Sequence, residues 1–219
     1  MKKGLTELVF VLDRSGSMSG LESDTIGGFN SMIEKQKKQE GEAIVTSVLF
    51  DDQYELIHDR FPISMVRTIT ENEYFVRGCT ALLDAIGRTI HKIGNVQKYL
   101  PELERAEKVI IVITTDGLEN SSKEYSYEKL RHMIERQKTR FGWEFIFLGA
   151  NIDAVAEAKK FGIDEDRAVT YHNDSEGVAM NYRVVSEAVC EMRCAPKMAD
   201  VGRGWKEEIE KDYNKRNKK

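Results

Sequence analysis

Two aspartates and three hydroxyls carry the densest chemical signal in this chain. Asp13-Arg14-Ser15-Gly16-Ser17-Met18 follows directly on an apolar run at residues 8–12, which puts a carboxylate at the C-terminal end of a strand and two hydroxyls in the turn after it. Gly78-Cys79-Thr80-Ala81-Leu82-Leu83-Asp84-Ala85-Ile86 opens a helix with a third hydroxyl, Thr80. Thr114-Thr115-Asp116-Gly117 closes the β-branched run Val109-Ile110-Ile111-Val112-Ile113 with a second carboxylate. Hard divalent cations take oxygen ligands, and Mg²⁺ usually keeps one or two carboxylates while neutral oxygens and water complete its octahedron. Asp13, Ser15, Ser17, Thr80 and Asp116 fit that description, so the expected ion is Mg²⁺ or Mn²⁺, with Ca²⁺ a third candidate. In an open α/β sheet such sites form beyond the carboxyl ends of strands, where the winding reverses.

These residues need a scaffold, and the pattern of apolar runs supplies one. Residues 8–13, 43–51, 54–61, 109–115 and 143–149 read as strands, with a weaker sixth at 168–171. The unbroken β-branched run before Thr114 is the mark of a parallel strand buried on both faces, which belongs in the middle of a sheet. Only Asp52 and Gln53 part the second strand from the third, too few for a crossover; the pair is an antiparallel hairpin and its third strand an edge. Helical patterns occupy residues 21–40, 81–98, 127–140, 153–161 and 176–193. In the last of them Val178, Tyr182, Val185, Val189 and Met192 form one apolar stripe. Strands alternating with helices of this length predict an α/β fold, a doubly wound and mostly parallel six-stranded sheet with one antiparallel edge strand.

Composition bounds the remaining classes. The 219 residues are 41% hydrophobic and 32% charged, with a formal net charge of −4. That balance suits a folded domain and offers no basic field for nucleic acid. No apolar run approaches the roughly 20 residues of a membrane-spanning helix, and Met1-Lys2-Lys3-Gly4 leads into a strand pattern rather than a signal peptide. Cys79, Cys190 and Cys194 are odd in number and imply no disulfide framework, which predicts a reducing, cytoplasmic setting. Asn-x-Ser matches at Asn120 and Asn173 have no glycosylation role there. One domain is expected over residues 1–200, followed by a charged helix or tail over 201–219 that frays from Trp205 onward.

The set Asp13-x-Ser15-x-Ser17, then Thr80, then Asp116 closely resembles the metal-ion-dependent adhesion site of the von Willebrand factor type A family, and the likeness covers residues 6–193. The resemblance implies a Rossmann-like fold and the five residues as direct or water-mediated ligands of one ion. It also implies an open coordination position, completed by a Glu or Asp of a protein partner. Phe147-Leu148-Gly149-Ala150-Asn151 and Glu119-Asn120 add a likeness to small stand-alone prokaryotic or phage members of the family. Cys79 departs from the family pattern, which has glycine beside the ligand threonine; glycine tolerates positive φ and cysteine does so poorly.

Each feature also has a plainer reading. Asp and Ser cap backbone amides in strand-to-helix turns, Thr80 is a good N-cap, and Asp116-Gly117 is a good turn. Glu119 and Asn120 read as loop solvation, Cys79 as a small space filler, Cys190 and Cys194 as buried packing, and residues 215–219 as a solubilising end. Enzymatic readings lack parts: Ser15 stands where a phosphatase-like Asp-x-Asp pair needs its second aspartate, and no Gly-x4-Gly-Lys-Ser/Thr loop is present. Gly16-Ser17-Met18-Ser19-Gly20 puts methionine at the centre of what would be a nucleophile elbow, and none of His58, His91, His132 and His172 lies beside a motif serine. The expectation is a metal-dependent protein-binding module, not an enzyme, with neither nucleic acid nor membrane as partner. A Mg²⁺-dependent phosphoryl or nucleotide hydrolase, and a domain whose ion is purely structural, are the alternatives.

Overall fold

Alternate residues of strand β1 (Lys2–Asp13) enter opposite layers: Leu8, Phe10 and Leu12 join one apolar cluster, Val9 and Val11 the other. Strand β4 (Ala106–Thr115) does the same with Ile110 and Val112 against Ile111 and Ile113. Strands that are apolar on both faces need a helical layer on each side. The computed structural model, which describes residues 1–217, has both. Helices α1 (Glu22–Lys37), α5 (Ser175–Cys194) and α6 (Glu207–Arg216) cover one face. Helices α2 (Leu82–Tyr99), α3 (Tyr127–Phe141) and α4 (Ala154–Lys160) cover the other.

Strands β2 (Glu42–Phe50), β3 (Tyr54–Pro62), β5 (Glu144–Ala150) and β6 (Ala168–Tyr171) complete a six-stranded sheet of order β3-β2-β1-β4-β5-β6. Every neighbouring pair is parallel except β2 with β3, the hairpin that the short loop demands. β1 and β4 lie side by side at the centre with Leu12 opposite Thr114, so Asp13 and Asp116 leave the sheet from adjacent strand ends. The winding reverses between these two strands, where a ligand crevice opens in folds of this kind. All five stripe residues of α5 are buried on the sheet. α1 and α5 approach so closely that a Cβ at Gly28 would stand 2.3 Å from the Tyr182 ring.

Two expectations are corrected. β1 begins at Lys2, not at residue 8, because Glu7 is fully buried inside the strand and is held by Arg60 at 2.9 Å and by Gln97, polar partners that continue a strand beyond its apolar run. The stretch 205–217, expected to fray, is instead seated on the core. Trp205 Nε1 donates to Asp166 O at 2.9 Å, the buried Lys206 ammonium donates to Glu165 O at 2.6 Å and Ala168 O at 2.9 Å, and Ile209 is buried against the core. Residues 218 and 219, the end of the basic tail, lie outside the described residues.

Candidate metal centre

Three loops bring the five sequence-predicted oxygens together. Asp13 ends β1, and the turn after it folds back so that Ser15 N donates to Asp13 Oδ1 at 2.7 Å. Gly16 N then donates to Gly78 O at 3.2 Å, and Arg77 N to Arg14 O at 2.9 Å, tying the β1 turn to the segment that carries Thr80. Thr80 Oγ1 donates to Ser15 Oγ at 3.0 Å, the two serine Oγ atoms are 3.1 Å apart, and Ser17 Oγ donates to Asp116 Oδ1 at 2.5 Å. Thr115 Oγ1 closes the group by donating to Asp13 Oδ2 at 2.5 Å. Asp13, Ser15, Thr80 and Asp116 are buried while Ser17 is exposed, so the cluster opens to solvent on the Ser17 side. A Cβ at Gly117 would lie 3.2 Å from Thr80 Oγ1 and 3.4 Å from Ser17 Oγ; glycine there keeps the space clear.

The electrostatics are those of a site that lacks positive charge. Burial pushes Asp13 up from 3.8 to about 6, against the pull of its hydrogen bonds from Thr115 and Ser15. Burial raises Asp116 as well, opposed by hydrogen bonds from Ser17 and Asn173. Neither aspartate has a basic partner among the described residues. A nearby carboxylate shows the contrast. Asp51 is also desolvated, yet Arg77 at 2.7 Å and Arg14 at 3.0 Å hold it below the usual range. Two buried carboxylates without a cationic partner, surrounded by neutral hydroxyls, are the kind of oxygen groups that could hold a hard divalent cation. No group of three or more His, Cys, Asp or Glu side chains placed to hold a metal occurs among the described residues; the cluster at the ends of β1 and β4 offers two carboxylates and three hydroxyls instead.

Several supporting residues escape sequence reasoning. Asn120, read as solvated, accepts from Thr80 N at 2.9 Å through Oδ1 and donates its own N–H to Thr80 O at 3.1 Å, clamping the threonine backbone. Glu119, read the same way, accepts from Leu83 N at 2.8 Å in the first turn of α2 and from Ser122 N at 2.6 Å. Asp84 accepts from Lys123 N and Glu124 N, both at 2.9 Å. The loop after Asp116 is thereby pinned to α2. Tyr74 OH donates to Asp13 O at 2.6 Å. Apart from the bond between Glu119 and Ser122, no local pattern announces these roles, because the partners are distant in sequence.

Thr80 itself does not cap α2, whose N-cap is Ala81 without a side-chain bond; its hydroxyl turns to Ser15 instead. Cys79 needs no positive φ, because Gly78 takes it at 66°, and a Cβ at Gly78 would stand 2.1 Å from Asp52 Oδ1. Cys79 is exposed rather than space-filling. Cys190 is half-buried against Gln36 and Cys194 exposed, so buried packing does not describe that pair.

Solved structures share this fold. Proximal thread matrix protein 1 (PTMP1) from the mussel byssus superposes with a TM-score of 0.59 at 16% identity, over 85% of this chain and 46% of that one. A structure of the same protein with a zinc-occupied MIDAS motif, the metal-ion-dependent adhesion site, superposes at 0.57 with 15% identity, over 84% of this chain and 46% of that one. The ArnB paralog VWA2 from Sulfolobus acidocaldarius gives 0.54 at 17% identity, over 86% and 45%. The von Willebrand factor type A protein from Catenulispora acidiphila gives 0.54 at 13%, over 84% and 42%. This chain spans a little under half the length of those proteins, and the likeness at such identity is one of fold. No family model matches the sequence, and the comparison with curated proteins finds no match.

Proposed function

We propose that this chain, built on the von Willebrand factor type A fold, is a divalent-metal-dependent protein-binding module. Asp13, Ser15, Ser17, Thr80 and Asp116 hold Mg²⁺ or Mn²⁺, and a Glu or Asp of a protein partner completes the shell. The observation that carries this reading is the convergence of three hydroxyls and two buried, unpaired carboxylates at the β1/β4 switch point, linked by contacts of 2.5–3.1 Å. A bound ion supplies the positive charge that the two aspartates lack, with an electrophilic face toward solvent. The chain's residues do the rest. Ser15 N and Thr115 fix the Asp13 carboxylate, Asn120 fixes Thr80, and the exposed Ser17 marks the side from which an acidic group approaches. If one aspartate ligates directly while the other acts through water, the ion keeps net positive charge and stays attractive to an incoming carboxylate.

The same arrangement argues for binding without turnover. His58 packs against Phe29 and Phe61, and His172 against Tyr213, so neither sits against the two serines as a base. No helix among the described residues is long and apolar enough to cross a membrane. The reducing, cytoplasmic setting remains part of the proposal and is consistent with three unbridged thiols.

The test is capture of partners from the native host on the immobilised chain, in Mg²⁺ and again in chelator, with Thr80→Ala as the control. Partners released by chelator and lost by Thr80→Ala, with a Glu→Gln or Asp→Asn change at one partner position doing the same, support the module. A complex indifferent to chelator and to both Asp13→Ala and Thr80→Ala puts the binding face elsewhere.

A further inference from the structure

Asn173, just beyond β6, reaches into the site from the far side. Its Nδ2 donates to Asp116 Oδ2 at 3.1 Å, while Ser17 donates to the other oxygen, Oδ1. The Asp116 carboxylate is thus held at both oxygens, one by the β1 turn and one by the β6 loop. Asn173 Oδ1 is itself buried without a donor. A buried amide oxygen left unpaired beside a carboxylate is costly, and it persists where the surrounding structure imposes it or a further ligand satisfies it.

Both sequence neighbours of Asn173 are gripped by α6. The His172 ring lies 4.6 Å from that of Tyr213, with Nε2 3.3 Å from Tyr213 O. Asp174 pairs with Arg216 and, through Oδ1, caps α5 by accepting from Gly177 N at 2.9 Å. The loop has no slack, since a Cβ at Gly177 would stand 2.1 Å from His172 O. The other end of α6 is anchored at the start of β6 by Lys206. The helix therefore runs as a strap from the bottom of the edge strand to the residues either side of Asn173.

We infer that Asn173 is a positioning residue of the metal centre, and that α6, by holding His172 and Asp174, sets its position and so tunes affinity for the ion. This rests on the metal-binding reading above. The experiment titrates Mn²⁺ alone into the full chain by calorimetry. It compares the parent with Asn173→Ala, Asn173→Leu, Arg216→Ala and the double variant Asn173→Ala/Arg216→Ala, with each melting temperature also measured in chelator. Residues that orient metal ligands typically contribute about 10–100-fold in affinity. Asn173→Ala and Asn173→Leu should lose roughly 10-fold, Arg216→Ala less, and the double variant no more than Asn173→Ala alone, since coupled residues are not additive. Melting in chelator should be near that of the parent throughout. Parent-like Mn²⁺ affinity in both Asn173 variants overturns the role, as does a loss of affinity matched by a collapse of stability in chelator. Fully additive losses overturn the coupling through α6. A parent that takes no Mn²⁺ overturns the metal reading itself, and that result is read before any variant is compared.

Discussion

Replacing Asp13 with asparagine should make the metal-free protein more stable at neutral pH while abolishing its response to metal. Asp13 is pushed by burial from 3.8 to about 6, a little over two units, which at 1.36 kcal/mol per unit is about 3 kcal/mol. The folded state holds this proton more tightly than the unfolded chain. The associated stability is therefore fully present below the unfolded value and is lost as pH rises through about 6. Above that, the folded protein carries an ionised carboxylate that burial disfavours. Asparagine keeps an acceptor for Ser15 N and sets an N–H toward Thr115 Oγ1, so the variant removes the charge with little change of shape. In chelator at pH 8 the variant should gain about 2–3 kcal/mol, or roughly 5–10 °C in melting temperature for a chain of this size. The gap should close toward pH 4. Added Mg²⁺ or Mn²⁺ should raise the parent, by roughly 2.7 kcal/mol at 100 times its dissociation constant, and leave the variant unmoved. Differential scanning calorimetry across pH 4–8, with and without ion, reads all of this. A variant less stable than the parent at pH 8 in chelator, or a gap that widens as pH falls, refutes the argument.

Three further outcomes follow from the same geometry. Gly117→Ala, whose Cβ would crowd Thr80 Oγ1 at 3.2 Å, should weaken Mn²⁺ binding while leaving the melting temperature in chelator close to the parent's; calorimetric titration checks it. Gly28→Ala should destabilise by about 2 kcal/mol in denaturant melts, because overpacking against Tyr182 costs more than the roughly 1 kcal/mol that alanine gains in a helix. Assays with nucleotides and phosphate esters should show no turnover above background, since no nucleophile–base pair or phosphate cradle accompanies the ligands; hydrolysis that disappears in Asp13→Ala would make the site catalytic.

What could be read in the sequence is what depends on near neighbours. The short gap between β2 and β3 permits only a hairpin, and the β-branched run in β4 permits only a strand covered on both faces. The spacing Asp13-x-Ser15-x-Ser17 folds three oxygens into one turn whatever lies around it. The tertiary structure alone decided what meets that turn. Thr115 joins Asp13 across 102 residues, Asn173 joins Asp116 across 57, and Asn120 joins Thr80 across 40. A polar side chain in a loop has the same local signature whether it faces water or pins a ligand, because the difference is made by desolvation and a distant partner. The seating of the C-terminal helix was hidden for the same reason. Its sequence carries one buried aliphatic, Ile209, among charges, and what seats it is a lysine ammonium given up to two backbone carbonyls of another segment.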